Sequence, residues 1–138
     1  MDKEQITLVQ QSWKQVMPIA PQAAALFYGR LFELDPGLRK LFTADMVEQG
    51  GKLMSMISTA VNGLPQLERI VPAVQDLGRR HSKYGVKDKD YETVGGALLW
   101  TLEKGLGAAF TPPVKQAWTA AYTTLAGVMK QAAAEAHA

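Results

Sequence analysis

Few side chains in this sequence can do chemistry, and their scarcity narrows the options. The 138 residues contain two histidines, His81 and His137, and no cysteine. Without thiols there are no thiolate nucleophiles, disulfides, iron–sulfur clusters or cysteine-bearing zinc sites. His137 stands next to the last residue, so a fixed imidazole is expected only from His81. A single imidazole cannot build a multi-histidine zinc or iron site, and no G-x-S-x-G elbow offers a hydrolase nucleophile. Gly105-Leu106-Gly107, with Phe110 where a third glycine should stand, falls short of a dinucleotide loop and follows no strand pattern.

Val74, Leu77 and His81 recur at i, i+3 and i+7, so the imidazole faces inward from a helix. Spacing alone fits a hydrogen-bonded core histidine more readily than a metal ligand, and both readings stand at this point. Ligation would require a cofactor that brings most of its own ligands. Haem is that case: the porphyrin fills the plane, one imidazole holds one side, and the other side stays open. Gly78, three residues before His81, is expected to clear space for a flat ring. On the far side, Gln49 shares a helical face with Leu53, and Tyr28 carries a hydroxyl that needs a partner if buried. Without further information, an ordinary satisfied polar group is the favoured reading of each. As donors to a gas ligand that draws negative charge, each would contribute about 1.5–3 kcal/mol, or one to two decades in escape rate at about 1.4 kcal/mol per decade.

These residues need helices to position them, and helical periodicity runs through the chain. Asp2 and Gln5 form a capping box ahead of Ile6, Val9, Trp13, Val16 and Met17, and Pro18 ends that run. A second helix from about Pro21 carries Ala24, Tyr28, Leu31 and Phe32 until Asp35-Pro36. Asp35 then caps a short turn with Leu38, Leu41 and Phe42, and Thr43-Ala44-Asp45 reads as a loop. A third helix from about Glu48 presents Leu53, Met56, Ile57, Ala60 and Val61, with Asn62-Gly63 as its stop. Leu64-Pro65 and Pro72 break the next stretch before the His81 helix, which ends near Gly85. Asp88 or Asp90 opens a helix with Tyr91, Val94, Leu98, Leu102 and Leu106 inward. Thr111-Pro112-Pro113 starts the last, whose stripe runs from Val114 to Ala132, with fraying expected from Ala133.

No alternating strand pattern and no repeat occurs, so the expected fold is all-α, one domain over residues 1–138. That size leaves no room for a built-in flavin or nicotinamide module. Fifteen basic against thirteen acidic residues leave +2, which names neither nucleic acid nor anionic lipid as a partner. No apolar run approaches a bilayer span, and a cytoplasmic protein is expected.

In order along the chain, Phe27-Tyr28, Asp35-Pro36, Leu41-Phe42, Gln49, Lys52-Leu53, Leu77-Gly78-Arg79-Arg80-His81, Tyr84-Gly85-Val86, Tyr91, Val94-Gly95, Ala117-Trp118 and Tyr122 form a pattern. With these landmarks the chain resembles the flavohaemoglobin-like globin family, that is, single-domain bacterial haemoglobins of the Vitreoscilla and Hell's Gate types and the haem domain of flavohaemoglobins. The resemblance covers Trp13 to about Met129 and implies a three-over-three helical globin fold that holds haem b. It implies His81 as the proximal iron ligand, with Phe42 packed on the ring. Tyr28 and Gln49 become the distal donors, Leu53 closes the pocket, and Leu77, Val86 and Val94 line the haem. Arg80 and Lys52 are its candidate propionate partners. Tyr91 matches a tyrosine that, with a glutamate near the carboxyl terminus, bonds the proximal histidine in flavohaemoglobins. The aligned position holds Ala133, and Glu135 is two residues out of register, so His81 has the Leu77 carbonyl as its other candidate acceptor. The implied function is tight reversible binding of dioxygen, with nitric oxide dioxygenase activity through a separate reductase as the alternative. The implied ligands are dioxygen, nitric oxide and carbon monoxide, and the implied state is a monomer or weak dimer.

Overall fold

The first helix starts where the sequence supplies its own cap. In the computed structural model, which describes residues 1–42 and 45–136, Asp2 accepts from the Gln5 amide at 2.8 Å while the Gln5 side chain accepts from the Asp2 amide. Helix α1 (Lys3–Val16) then runs to a short 3-10 turn at Met17–Ile19 that holds Pro18. Helix α2 (Ala20–Leu34) ends at Asp35, whose carboxylate accepts from the Gly37 amide at 3.1 Å and caps the turn Pro36–Leu41. Helices α3 (Met46–Gly63), α4 (Leu67–Lys83), α5 (Asp88–Leu106) and α6 (Pro112–Ala136) complete the chain, and no strand occurs among the described residues. The architecture is all-α, with α4 packed along α6, α2 along α5, α1 against α6 and α2 against α3.

Several boundaries differ from those read along the sequence, each for a local reason. Asp45 lies outside the helix, as expected, and caps it: its carboxylate accepts from Val47 at 2.8 Å and Glu48 at 3.2 Å, so α3 starts two residues before Glu48. Thr43, Ala44 and His137 lie outside the described residues. The buried stripe of α3 passes through Gly50, Met54 and Val61, and Met56 turns outward at 38% exposure. Helix α3 does end at Gly63, but without a left-handed cap: its φ is −87° and the chain winds on into a 3-10 turn at Leu64–Gln66. Its missing side chain instead admits Ile70, whose Cγ2 would meet a methyl group there at 2.5 Å. Pro72 sits inside α4, which continues through it. Helix α6 extends to Ala136 rather than fraying from Ala133.

The core forms where α1 meets α3 and α6. The Trp13 and Trp118 rings lie 5.8 Å apart; Trp118 Nε1 donates to Ser12 Oγ at 2.8 Å, and Trp13 Nε1 to Ser58 Oγ at 2.9 Å. Both buried indole donors are thereby satisfied. Gly78 marks the crossing of α4 and α6: a methyl group there would lie 2.6 Å from Met129 Cα, and closer still to its carbonyl oxygen. The space cleared by Gly78 is therefore taken by the α6 backbone, which corrects the reading that it admits a cofactor ring. Gly78→Ala is expected to lower stability by roughly 1–3 kcal/mol, because the obstructing atoms are backbone and cannot swing aside. Gly51→Ala and Gly96→Ala, in helices with nothing within 4 Å, should instead raise it by about 0.5–1 kcal/mol. Urea unfolding of the three variants checks this opposition of sign.

Candidate functional site

His81 lies on the last turn of α4, half-buried. Its Nδ1 is 2.8 Å from the Leu77 carbonyl oxygen, one turn earlier. A carbonyl can only accept, so Nδ1 carries the hydrogen and Nε2 keeps its lone pair. Burial lowers the imidazole pKa; the Leu77 contact opposes that shift, and the Arg80 guanidinium adds to it. The group is thus a neutral imidazole with Nε2 free to bind an electrophile or metal. The helix closes immediately after it. Val86 donates its amide to the His81 carbonyl at 3.0 Å, Gly85 donates to Ser82 at 3.1 Å, and Gly85 takes φ +93°. These paired bonds are a Schellman closure, and they fix half-buried Val86 relative to His81.

A second cluster forms around Tyr28 on α2. The ring is 7% exposed; it stacks on Phe32 at 6.0 Å and meets Phe27 and Phe42 edge-on at 5.1 and 5.3 Å. Burial raises the phenol pKa, and the polar Gln49 side chain nearby partly offsets the rise. The hydroxyl therefore stays protonated at neutral pH and remains a donor. Tyr28 and Gln49 can meet because α3 comes close to α2 at Gly50, where a methyl group would lie 2.9 Å from Ala24 Cβ. Ala24 is one turn before Tyr28, and Gly50 follows Gln49. Leu53, half-buried one turn further along α3, lies beside Phe27, Met54 and Leu98 on an apolar cavity of about 10 Å³.

The two clusters are neighbours. Leu41, adjacent to Phe42, comes within 3.9 Å of where a side chain at Gly85 would begin. Among the described residues, no hydrogen bond or ring contact joins His81 directly to Tyr28 or Gln49. Leu77 and Val94 are half-buried on α4 and α5. Phe32, expected on the same side of the second helix as Tyr28, stacks on it at i, i+4 spacing and also meets Phe42 at 5.6 Å.

Tyr91 is placed differently from the tyrosine of the flavohaemoglobin pattern. The His81 Nδ1 is taken by Leu77, and Tyr91 is buried beneath Lys130, whose ammonium lies 5.6 Å from its ring centroid. Its backbone carbonyl accepts from the Tyr122 hydroxyl at 2.5 Å, and the Tyr122 ring lies against Gly95. Glu135 is exposed near the end of α6. Lys52 and Arg80 are also exposed, pairing within their own helices to Glu48 at 3.9 Å and Asp76 at 3.3 Å. Such pairs contribute only about 0.3–0.5 kcal/mol and are easily exchanged for another anion.

The donor set fits haem. One neutral imidazole with a free Nε2 suits a metal that arrives with a planar ligand set, and no cluster of three or more His, Cys, Asp or Glu side chains that could hold a bare ion occurs among the described residues. No helix among these residues is long and apolar enough to cross a membrane.

Comparison with known proteins agrees with the helical architecture. A family profile described as Globin matches residues 25–129. Neuroglobin from Chaenocephalus aceratus is 32% identical over 144 aligned residues, covering 94% of this chain and 89% of that protein. Neuroglobin from Dissostichus mawsoni matches to the same extent, and that from Danio rerio is 30% identical over 88% of this chain and 86% of its own length.

Proposed function

This chain belongs to the globin family, and on that premise we propose that it binds haem b through His81 and holds dioxygen reversibly beneath Tyr28 and Gln49. The observation that carries this reading is the His81 Nδ1 contact with the Leu77 carbonyl, which leaves Nε2 as the only nitrogen able to ligate. When bound, haem supplies iron with four planar nitrogens and one open position for a diatomic gas.

The protein's own residues do the rest. Leu77 holds the imidazole tautomer and orientation, an outer contact of the kind that tunes a metal ligand. The Schellman closure anchors the helix end that carries it. Tyr28 and Gln49 supply an O–H and an N–H donor, and aromatic neighbours hold the Tyr28 ring so that its hydroxyl reorganises little on ligand entry. Phe42, Leu53, Leu77, Val86 and Val94 provide apolar walls, which strengthen hydrogen bonds by excluding water. Lys52 and Arg80 can turn from their exposed partners toward carboxylates at a cofactor edge.

Within the globins, the flavohaemoglobin-like assignment rests on the Tyr28 and Gln49 pair and on the run from Leu77 to His81. Nitric oxide dioxygenation with a separate reductase would use the same residues. A backbone carbonyl, rather than a carboxylate, behind His81 favours ligand storage, because it pushes less electron density onto the imidazole. A location in the cytoplasm belongs to the same reading.

The visible spectrum of the purified protein, reduced and then exposed to air, tests this assignment. A stable spectrum of an oxygenated haem protein with one haem per chain is expected. A colourless protein that takes up no added haemin would overturn it.

A further inference from the structure

The charge of this protein is unevenly distributed. Residues 79–89, where α4 turns into α5, hold Arg79, Arg80, Lys83, Lys87 and Lys89 against the single acid Asp88. This segment contains a third of all Lys and Arg, and the rest of the chain has ten basic and twelve acidic residues, a net negative charge. All five cations are exposed. Asp76 pairs with Arg80, but among the described residues no carboxylate lies within ion-pair distance of Arg79, Lys83, Lys87 or Lys89. A helix C-terminus favours some positive charge, which accounts for Arg80 and Lys83 but not for Lys87 and Lys89 at the start of α5.

At the centre of this corner stands Tyr84, a large aromatic side chain left 65% exposed. Its ring centroid is 6.5 Å from that of His81. An exposed aromatic flanked along the chain by exposed cations has the make-up of a protein-binding hot spot. Its position makes that hot spot adjoin the imidazole. A haem iron that has lost an electron binds dioxygen again only after regaining one, so a donor must be able to approach the site.

We propose that the α4–α5 corner is the docking face for an acidic one-electron donor protein, with Tyr84 as the contact centre and Arg79, Lys83, Lys87 and Lys89 as the steering charges. The proposal rests on the haem-binding reading above. In the transfer the donor is oxidised by one electron and the ferric protein is reduced by one, with no bond made or broken.

The test uses the ferric haem-loaded protein and a reduced, acidic flavodoxin as probe. The variant with Arg79→Glu, Lys83→Glu and Lys89→Glu should lower the second-order reduction rate at low salt by about tenfold or more, given that steering raises on-rates by roughly 10–10³. The difference should close at about 0.5 M salt, where screening acts over only a few ångströms. The glutamine version of the same triple, which places no acid at the helix end, should fall between. Reversal of Lys3, Lys14 and Lys115, equal in charge but remote in sequence, should slow reduction far less, and reduction by neutral dihydrolumiflavin should be unchanged in every variant. Independently of haem, oxidised flavodoxin added to the ¹⁵N-labelled chain should shift amides within residues 79–89, and Tyr84→Ser should weaken that binding.

Equal slowing by the patch reversal and the remote reversal, shifts confined to other surfaces, or patch-dependent binding to phosphatidylserine vesicles without any effect on reduction would each overturn the proposal. If haem cannot be loaded, the proposed function fails, and the amide shifts still decide the docking face.

Discussion

His81→Ala yields a folded protein that retains no haem through purification, where the parent carries one per chain. The variant should fold because His81 supports α4 through its backbone. Its carbonyl receives the Tyr84 and Val86 amides whatever the side chain, and alanine is the best helix former. Burial of the imidazole is only partial, so little packing is lost. What disappears is the lone pair on Nε2, for which no other described histidine offers a substitute. Haemin titration followed in the visible region, with far-ultraviolet circular dichroism as the check on folding, measures both halves of the expectation. A smaller residue leaves room for an added ligand, so imidazole in the buffer should restore part of the haem binding of His81→Gly. Stoichiometric haem and an unchanged spectrum in His81→Ala would remove the proximal assignment.

On the distal side, Tyr28→Phe and Gln49→Leu are each expected to raise the dioxygen dissociation rate by one to two orders of magnitude. The estimate follows from about 1.5–3 kcal/mol for a hydrogen bond to a charged acceptor. Tyr28→Phe is the cleaner of the two. The Phe27, Phe32 and Phe42 contacts engage the ring and survive the change, so the rate reports the hydroxyl alone. Because the Gln49 side chain is close enough to perturb the Tyr28 phenol, their effects should not multiply. Removing one frees the other to reorient, and the double variant should be slower to release dioxygen than the product of the single effects predicts. Stopped-flow displacement of dioxygen by carbon monoxide gives the three rates. Unaltered rates in both single variants would eliminate the distal assignment, while a haem-loaded Tyr28→Phe that oxidises rapidly in air would place the hydroxyl in protection of the ligand.

Much of the site could be read residue by residue. A single usable imidazole, a tyrosine and a glutamine on apolar helical faces, and the ordered landmarks around them point to a haem globin from the sequence itself. The more specific features were not readable in the same way. Tyr91 and Leu77 were both candidate acceptors for His81 Nδ1, and the choice depends on where α5 sits relative to α4. Gly78 gave the same sequence signal whether it made way for a cofactor or for another helix. The basic segment 79–89 looked unremarkable inside a total charge of +2, because its significance lies in exposure and in closeness to His81.

The helices, their caps and the chemistry on offer follow from interactions between residues no more than about four apart. Asp2 with Gln5, Asp35 with Gly37 and the Gly85 closure are of this kind, and local spacing encodes them. Helix crossings are not encoded locally. Gly78 meets Met129, Gly50 meets Ala24, and Tyr28 meets Gln49 across gaps of about twenty to fifty residues. Their outcome depends on the packing of all six helices at once, since a close approach at one crossing sets which side chains can reach each other at the next.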